Sequence, residues 1–430
     1  MIRTVPLSDL LPGAGPRVQL QQGWSPQCLA HPAPETSWGV LKTTAIQSGK
    51  FVPHENKELP EHFEPRPGLE VRAGDLLLTC AGPRSRCGIP ALVRTTRPRL
   101  MISGKMYRFR PNPDVVDSRY LELYLQSPAA QALIDAMKTG ISDSGLNLTK
   151  ERFLGLPVPI APLPEQRRIV DILEDHLSRL DAAHDYLAAA TLREQALVRA
   201  VLTDAIPEVN DYPAGWATAT VAEAGRVELG RQRHPDWHHG ANMRPYLRVA
   251  NVFEDRIDTA DLKEMHWPDH TFERFRLQPG DVLLNEGQSP EFLGRPAIYR
   301  GIPESIAFTN SLIRFVAHET VRPEFALLVF RRHMHAGRFR RESRITTNIA
   351  HLSATRLKAI EFPIPPLEVQ DSIVSEVTQQ LDALGVITEQ VRAARLRAQA
   401  LRRSLLHSAF TGHLTGQSPD LGRSEELAFS

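Results

Sequence analysis

The chain of 430 residues is poor in cysteine. Cys28, Cys80 and Cys87 form no C-x-x-C pair and no even framework, so neither a disulfide scaffold nor a structural zinc site is predicted. No run of 18 apolar residues occurs, and the opening MIRTVPLSDLLPGAGP lacks the apolar core of a signal peptide. We therefore expect a cytoplasmic protein with free thiols and no membrane segment.

Two families of catalytic motif are also missing. The amino-methyltransferase pattern N/D-P-P-Y/F has no match, since Asn112-Pro113-Asp114 lacks the second proline and the aromatic. No phosphate-binding G-x-x-x-x-G-K-[S/T] loop occurs, because Gly49-Lys50 and Gly104-Lys105 are followed by Phe51 and Met106. We expect no bound cofactor, and neither methyl transfer nor ATP hydrolysis is predicted for this chain.

Two short patterns are interpreted as chance. Glu55-Asn56-Lys57 matches half of an E-x-K nuclease signature, which is frequent in any sequence. His234, His238 and His239 lack a supporting carboxylate or cysteine, so we read them as surface residues and predict no metal site.

The chain contains one long unit twice. Residues Leu148–Val170 (LTKERFLGLPVPIAPLPEQRRIV) align without a gap with Leu352–Val374 (LSATRLKAIEFPIPPLEVQDSIV), at a constant offset of 204 residues. The offset is too long for a solenoid, whose repeats span roughly 20 to 50 residues. Two duplicated domains with approximate two-fold symmetry are predicted, and 42% apolar residues are enough for two cores.

Both copies have the same order of parts. Short β-like runs come first, at residues 39–46 and 245–252, and a G-D-x-L-L turn and strand follows at residues 74–78 and 280–284. A helix is predicted at residues 119–137 in one copy and 323–335 in the other, each followed by a polar loop and a proline-rich bridge. This irregular mixture favours the α+β class.

A long helix follows each bridge. Apolar residues with 3,4 spacing predict one seam along each helix. The predicted seam residues are Ile169, Leu173, Leu180, Ala183, Leu187, Ala190, Leu197 and Val201 in the first helix, and Ile373, Val377, Leu384, Ile387, Val391, Ala394, Leu401 and Leu405 in the second. One interpretation is that each helix packs only on its own domain. The matched register favours the other, in which the two helices pack against each other as an antiparallel coiled coil.

The residues that carry a family resemblance are the two bridges, PVPIAPLPEQRRIV and FPIPPLEVQDSIV, each leading into a long helix. YLRVANV, PGDVLLNEG and SLLHSAFTGHL support them. Together they resemble the specificity subunit of type I restriction-modification systems over nearly the whole chain. The resemblance implies target-recognition domains at residues 1–160 and 207–362, spacer helices at 161–206 and 363–411, and a tail at 412–430.

The resemblance also implies partners. Each domain would read one half of a split double-stranded DNA target, while the helices would dock adenine-N6 methyltransferase subunits, expected to be two. A restriction nuclease or translocase subunit is a further candidate. The bridge residues assigned to partner binding are Pro162, Leu163, Glu165, Gln166, Pro366, Leu367 and Gln370. Val369 stands where the first bridge has Glu165, so the two bridges differ at one position.

Recognition of DNA bases requires cationic and amide side chains, because Arg and Lys can bind guanine and Asn and Gln can bind adenine in the major groove. Such side chains commonly lie in loops that a rigid scaffold positions. The candidates in the first copy are Lys42, Thr43, Lys50, Arg84, Ser85 and Arg86. Those in the second copy are Arg231, Arg233, Arg248, Asn251, Gln288, Ser289 and Arg295.

Phosphate contacts need a density of cations rather than exact placement. The segment FRRHMHAGRFRRESR supplies that density, although the formal net charge is only +1. Its arginines are Arg331, Arg332, Arg338, Arg340, Arg341 and Arg344, and the last four are predicted to bind DNA. In the first copy, residues 126–139 contain Lys138 as their only cation. We therefore expect the two half-sites to be bound with unequal strength.

The favoured interpretation is a non-catalytic DNA-specificity subunit. The alternatives are a stand-alone DNA-binding adaptor and a self-contained nuclease or methyltransferase, the latter disfavoured by the missing motifs.

Overall fold

The structure, a computed structural model, describes residues 3–13, 19–346 and 349–411, with the backbone alone for residues 344–346 and 349. The predicted tail at 412–430 lies outside the described residues. The chain divides into two compact units. The first unit contains the described residues up to Tyr186 and those from Ala394 onward, and the second contains Leu187–Ala393.

The first unit is a mixed α+β domain with part of each long helix. Its strands are β1 Arg3–Pro6, β2 Leu20–Gln22, β3 Gly39–Leu41, β4 Ile46–Gln47, β5 Lys50–Phe51, β6 Asn56–Glu58, β7 Leu76–Thr79, β8 Ala81–Gly82, β9 Pro90–Leu92, β10 Leu100–Met101, β11 Met106–Phe109, β12 Leu146–Asn147 and β13 Pro157–Ile160. Its helices are α1 Ser118–Gln126, α2 Pro128–Met137, α3 Lys150–Leu154 and the start of α4 Leu163–Ala205.

The second unit is built from equivalent parts. Its strands are β14 Ala217–Thr220, β15 Gly225–Leu229, β16 Met243–Leu247, β17 Val252–Phe253, β18 Arg256–Ile257, β19 Lys263–His266, β20 Val282–Asn285, β21 Gly287–Gln288, β22 Pro296–Ile298, β23 Ala307–Phe308, β24 Leu312–Ala317, β25 Arg344–Thr346, β26 Ile349–His351 and β27 Glu361–Ile364. Its helices are the end of α4, α5 Val221–Ala224, α6 Asp269–Phe275, α7 Pro323–His335, α8 Arg338–Arg341, α9 Ala354–Lys358 and most of α10 Leu367–Phe410.

The sheets confirm the predicted duplication. Four strands run β2-β11-β7-β9 in the first unit and β15-β24-β20-β22 in the second, both antiparallel. Three strands run β10-β3-β6 and β19-β16-β23, each with one parallel and one antiparallel neighbour pair. Each bridge forms a strand that pairs with the opening strand of its own copy, β13 with β1 and β27 with β14.

The predicted G-D-x-L-L turns are present in both copies. Gly74 and Gly280 have φ values of 89° and 97°, which a side chain would oppose. The carboxylates of Asp75 and Asp281 accept hydrogen bonds from the backbone N–H groups of Arg72 and Gln278. The strands that follow, β7 and β20, are buried along their whole length.

The predicted single helix over residues 119–137 is wrong in one respect. Two helices, α1 and α2, meet at Ser127, because Pro128 has no N–H and cannot continue α1. Ser127 ends α1 and caps α2 by accepting a hydrogen bond from the N–H of Ala130 at 3.3 Å. The equivalent helix α7 covers residues 323–335 unbroken, as predicted.

The antiparallel packing of the two long helices is confirmed within each unit. In the first unit, Ile169 and Leu173 near the start of α4 share a core with Leu406 and Phe410 at the end of α10. In the second, Leu202 near the end of α4 shares a core with residues near the start of α10, such as Val377.

The predicted seam is only partly correct. Ile169, Leu173 and Val377 are buried, whereas Leu197 and Leu401 are about half exposed, at 51% and 46%. A straight α-helix drifts by roughly 20° per heptad relative to a 3.5-residue repeat, which moves the buried stripe along the helix surface. Polar residues therefore lie in the seam, and Thr388 Oγ1 donates a 2.6 Å hydrogen bond to Glu194.

Among the described residues, no helix is both long and apolar enough to cross a membrane.

Candidate DNA interface

Two equivalent strand and turn segments carry the first candidate residues. In the first copy β3 leads through Lys42 into a 3-10 turn at Thr43–Ala45 and then β4. In the second, β16 leads through Arg248 into a 3-10 turn at Val249–Asn251 and then β17. Lys42 and Arg248 occupy the same position, since each directly follows a buried strand end and precedes the turn.

Both cations form an ion pair with a carboxylate of the same copy. Lys42 Nζ lies 2.7 Å from Glu55 Oε2, and Arg248 Nη2 lies 2.6 Å from Asp261 Oδ2. Hydrogen bonds from Lys42 and from Thr44 lower the pKa of Glu55. The pKa of Asp261 is lowered mainly by a hydrogen bond from Lys263. The charge and the hydrogen bond of Arg248 lower it further. Both carboxylates are therefore ionised at neutral pH.

Arg86 and Arg295 support the turns rather than standing free. Arg86 Nη2 donates to the carbonyl oxygens of Thr43 and Ile46, the latter at 2.8 Å. Arg295 Nε and Nη2 donate to the carbonyl oxygen of Val252 at 3.1 and 2.7 Å. Val252 begins β17 as Ile46 begins β4, so each arginine fixes the same point of its copy.

Asn251 is only 2% exposed and its amide is fully engaged. Its Oδ1 accepts from the N–H of Arg248 at 3.1 Å, and its Nδ2 donates to the carbonyl oxygens of Asp258 and Asp261 at 2.9 and 3.1 Å. The side chain thus clamps the backbone on both sides of the Arg248–Asp261 ion pair, which fixes the loop and leaves no amide atom for a base.

The remaining candidates of the first copy lie on the surface. Lys50 and Ser85 are exposed, and Thr43 is partly buried. Arg84 is exposed but bridges two acids, with Nη1 at 2.6 Å from Asp135 and Nε at 3.0 Å from Asp143.

In the second copy, Arg231 is 9% exposed and stacks on two tryptophans. Its guanidinium carbon lies 3.9 Å from the ring centre of Trp237 and 4.8 Å from that of Trp267, and Nη1 donates to the carbonyl of His266 at 2.7 Å. Arg231 therefore holds the loop at residues 235–238 against the domain. Arg233 is exposed, while Gln288 and Ser289 are partly buried.

The arginine-rich segment separates into two groups. Arg338 forms a bidentate pair with Glu361 and a 2.6 Å bond to Glu342, and these carboxylates raise its pKa. Arg331 pairs with Glu254, and Arg332, 4% exposed, donates to the carbonyl of Ile206. Arg340 and Arg341 are exposed and form no side-chain ion pair within the described part of the chain. The side chain of Arg344 lies outside what the structure describes.

The bridge residues assigned to partner binding fall into a buried group and a group at the surface. Gln166 and Gln370 are 0% exposed and fasten each bridge to the start of a helix in its domain. Pro162, Pro366 and Leu367 are exposed, and Leu163 and Glu165 are partly so. Val369 is 36% exposed, so the difference from Glu165 lies at the surface.

The sequence did not assign Glu55 or Asp261 to the DNA interface, and Glu55 was considered only within the chance E-x-K match. Both precede a strand that pairs with the candidate strand, β6 in the first copy and β19 in the second. The available signal was their common offset, since 206 residues separate Lys42 from Arg248 and also Glu55 from Asp261. Within the described residues no group of three or more His, Cys, Asp or Glu side chains forms a potential metal site.

Comparison with known proteins agrees with this geometry. The family described as "Type I restriction modification DNA specificity domain" matches residues 91–187. The specificity subunit of the type I restriction enzyme EcoKI from Escherichia coli K12 is 23% identical over 407 residues, which cover 90% of this chain and 86% of the relative.

Two further comparisons differ in extent. The EcoEI specificity subunit of Escherichia coli is 38% identical over 187 residues, 43% of this chain, and that match spans only about a third (31%) of the relative. A structure solved in a study of complex assembly and conformational transition of the type I R-M system has a TM-score of 0.66 at 19% identity. It covers 96% of this chain and 98% of the other, which shows a shared fold.

The duplicated α+β fold and the two bridge-and-helix segments define a two-domain α+β protein with two long helices. Over most of its length the chain is similar to specificity subunits of type I restriction-modification systems, the family that its sequence resembles. The likeness supports the prediction of a specificity subunit, and the named relatives favour neither the stand-alone adaptor nor the self-contained enzyme.

Proposed function

We propose that this chain reads a bipartite double-stranded DNA target and directs an adenine-N6 DNA methyltransferase to it in the cytoplasm. The observation that carries the proposal is the duplicated turn in which Lys42 and Arg248 occupy one position in two otherwise different sequences. A duplicated scaffold with different reading residues suits a target whose two halves differ. Residues 1–160 would read one half and residues 207–362 the other.

The proposed reading residues are those with accessible polar atoms. They are Lys42, Thr43, Lys50, Arg84 and Ser85 in the first copy, and Arg233, Arg248, Gln288 and Ser289 in the second. Arg86, Arg231, Asn251 and Arg295 are assigned a supporting role, because their polar groups are engaged within the domain. A good bidentate contact discriminates between bases by roughly 1 to 3 kcal/mol.

Arg340 and Arg341 are proposed to contact phosphates of the half-site read by the second copy. Their exposure and the absence of carboxylate partners among the described residues support this role, since neutralising a phosphate requires a charge that is not already paired. Arg338 is proposed to hold the segment in place through Glu361.

Two methyltransferase subunits are proposed to dock on equivalent surfaces of the helices and bridges. Apolar side chains at matched positions support this, because Leu192 and Leu396 are 68% and 57% exposed and stand 204 residues apart. Pro162, Leu163 and Glu165 would extend one surface, and Pro366 and Leu367 the other. Val369 in place of Glu165 predicts unequal affinity for the two subunits. A restriction nuclease or translocase is a candidate third partner.

The two long helices are proposed to set the unread gap between the half-sites. α4 and α10 contain 43 and 44 residues, and at about 1.5 Å per residue each is roughly 65 Å long. Matched lengths and antiparallel packing support a fixed spacer.

The test is co-expression with a candidate adenine-N6 DNA methyltransferase from the same genome, followed by purification through a tag on the chain. A complex with two methyltransferase subunits is expected, and the Leu192→Glu and Leu396→Glu variants should each lose one. Leu133→Glu, at an exposed leucine of α2, is the matched control. Purification of the chain alone under all conditions would contradict the proposed partnership.

A further inference from the structure

The ion pairs Lys42–Glu55 and Arg248–Asp261 are one feature present twice. All four residues keep the same offset of 206, although the residue types differ between the copies. The pairing of their strands is also the same, since β3 and β6 align Leu41 with Asn56 while β16 and β19 align Tyr246 with Lys263. The two copies have therefore kept the opposite charges while changing both side chains.

The backbone beneath each pair is fixed in both copies. In the first copy the N–H of Lys42 donates to the carbonyl of Glu55 at 2.9 Å. In the second, the amide of Asn251 joins the N–H of Arg248 to the carbonyl of Asp261. Each carboxylate has one more donor, Thr44 Oγ1 for Glu55 and Lys263 Nζ, 2.9 Å away, for Asp261. The charged groups are thus presented in a defined geometry.

The cations keep unused donors. Arg248 pairs with Asp261 through Nη2 and its side chain is 20% exposed, so the donors at its outer end are accessible to a ligand, whereas its Nε is buried. Lys42 has a side chain 37% exposed, and its ammonium group offers three N–H donors against one carboxylate. Surface ion pairs of this kind contribute little to folding stability, so a binding role explains the duplication better.

A cation beside a carboxylate matches one base pair in particular. In the major groove guanine presents the acceptors O6 and N7, which Lys and Arg bind, and cytosine presents the N4 amino donor, which Glu and Asp accept. We infer that Glu55 and Asp261 are specificity-determining residues, and that each acid with its cation reads one G·C base pair in its half-site. The inference rests on the proposed DNA-reading function and adds the base pair and the acids.

The carboxylate beside each cation also affects binding to DNA of other sequences. A cation that is already neutralised by a carboxylate attracts phosphate only weakly. It therefore adds to the binding affinity where a base supplies acceptors, and adds little on DNA of random sequence. Removing the carboxylate should therefore increase binding to DNA of any sequence while reducing discrimination.

The experiment selects bound duplexes from a pool with randomised positions, using the full chain in the assembly in which it purifies, and sequences them. Glu55→Gln and Lys42→Ala should lose preference at the same G·C pair of one half-site, by about tenfold. Asp261→Asn and Arg248→Ala should do the same in the other half. Glu55→Asp and Asp261→Glu, which keep the carboxylate, should retain the preference.

Two controls test whether the effect belongs to the acids beside the cations or to any exposed acid. Glu61→Gln and Glu319→Gln remove exposed acids elsewhere in the two copies. Both should leave the preferences at both half-sites unchanged, and thermal unfolding checks that each variant folds. The inference is overturned if Lys42→Ala loses a base preference that Glu55→Gln keeps, or if the lost pair is A·T. A wild-type assembly that enriches no two-part sequence contradicts the proposed function itself.

Discussion

Gln166 accepts a 2.9 Å hydrogen bond from the backbone N–H of Asp117, the residue that caps helix α1. The same amide donates to the carbonyl oxygens of Val115 and Ala161, which joins the bridge to the domain. Gln370 makes the same three bonds in the second copy, to Arg322, Thr320 and Pro365. The glutamine kept in both bridges is therefore a buried clamp between a domain and its helix.

Replacing Gln370 by alanine should lower the free energy of unfolding of the second unit by roughly 2 to 4 kcal/mol, because buried backbone groups lose their partners. Gln379→Ala, at an exposed position of the same helix, should change it by less than about 0.5 kcal/mol. Chemical denaturation measures both. Equal stability of the two variants would show that the clamp is unimportant.

Acid should destabilise the second unit through Glu254. Burial alone would raise the pKa of Glu254, but the hydrogen bond from His335 and the charge of Arg331 outweigh it and lower the pKa to about 2. A carboxylate with a depressed pKa stabilises the fold above its ordinary pKa of 4.5, and this contribution is lost as the pH falls from about 4.5 to about 2.

The loss should be on the order of 2 kcal/mol, discounted because a quarter of the Glu254 side chain is exposed. Glu254→Gln should flatten the dependence of the unfolding free energy on pH in this range. An unchanged acid profile in the variant would assign the effect to other groups.

Arg340→Ala combined with Arg341→Ala should weaken binding to every DNA sequence and reduce the slope of log affinity against log salt by about 2. Arg338→Ala should instead lower the melting temperature, since Glu361 would lose its bidentate partner. Binding titrations across a salt series compare them. A change in target preference at constant salt slope would contradict the phosphate assignment.

Deleting residues 189–195 and 387–393 removes seven residues from each long helix. At about 1.5 Å per residue the spacer shortens by roughly 10 Å, so the gap between half-sites should change by about one to three base pairs. Target selection with the shortened chain gives the new gap. An unchanged gap would refute the spacer role.

The sequence predicted the features that periodicity and repetition encode. The duplication, the strand after each G-D turn and the antiparallel long helices all follow from apolar spacing at a fixed offset. The break at Pro128 was missed because apolar spacing continues through Ser127, although proline could have indicated it. Burial of Leu197 was predicted wrongly, because heptad counting ignores the drift of a straight helix.

The candidate interface was harder to predict. Residue type predicted that Arg86, Asn251 and Arg295 contact bases. In the structure, however, each donates hydrogen bonds to carbonyl oxygens within its own domain. Glu55 and Asp261 were missed, since an acid has no evident place in a DNA site until the structure sets it beside a cation. Which polar groups are already paired depends on tertiary contacts that no local pattern encodes.

The most direct test maps N6-methyladenine across the genome of cells that carry the chain, and of cells in which the chain is deleted. A sequence in two parts, separated by a gap of constant length and methylated only when the chain is present, is the predicted result. Methylation at one continuous sequence, or the same methylation without the chain, would contradict it.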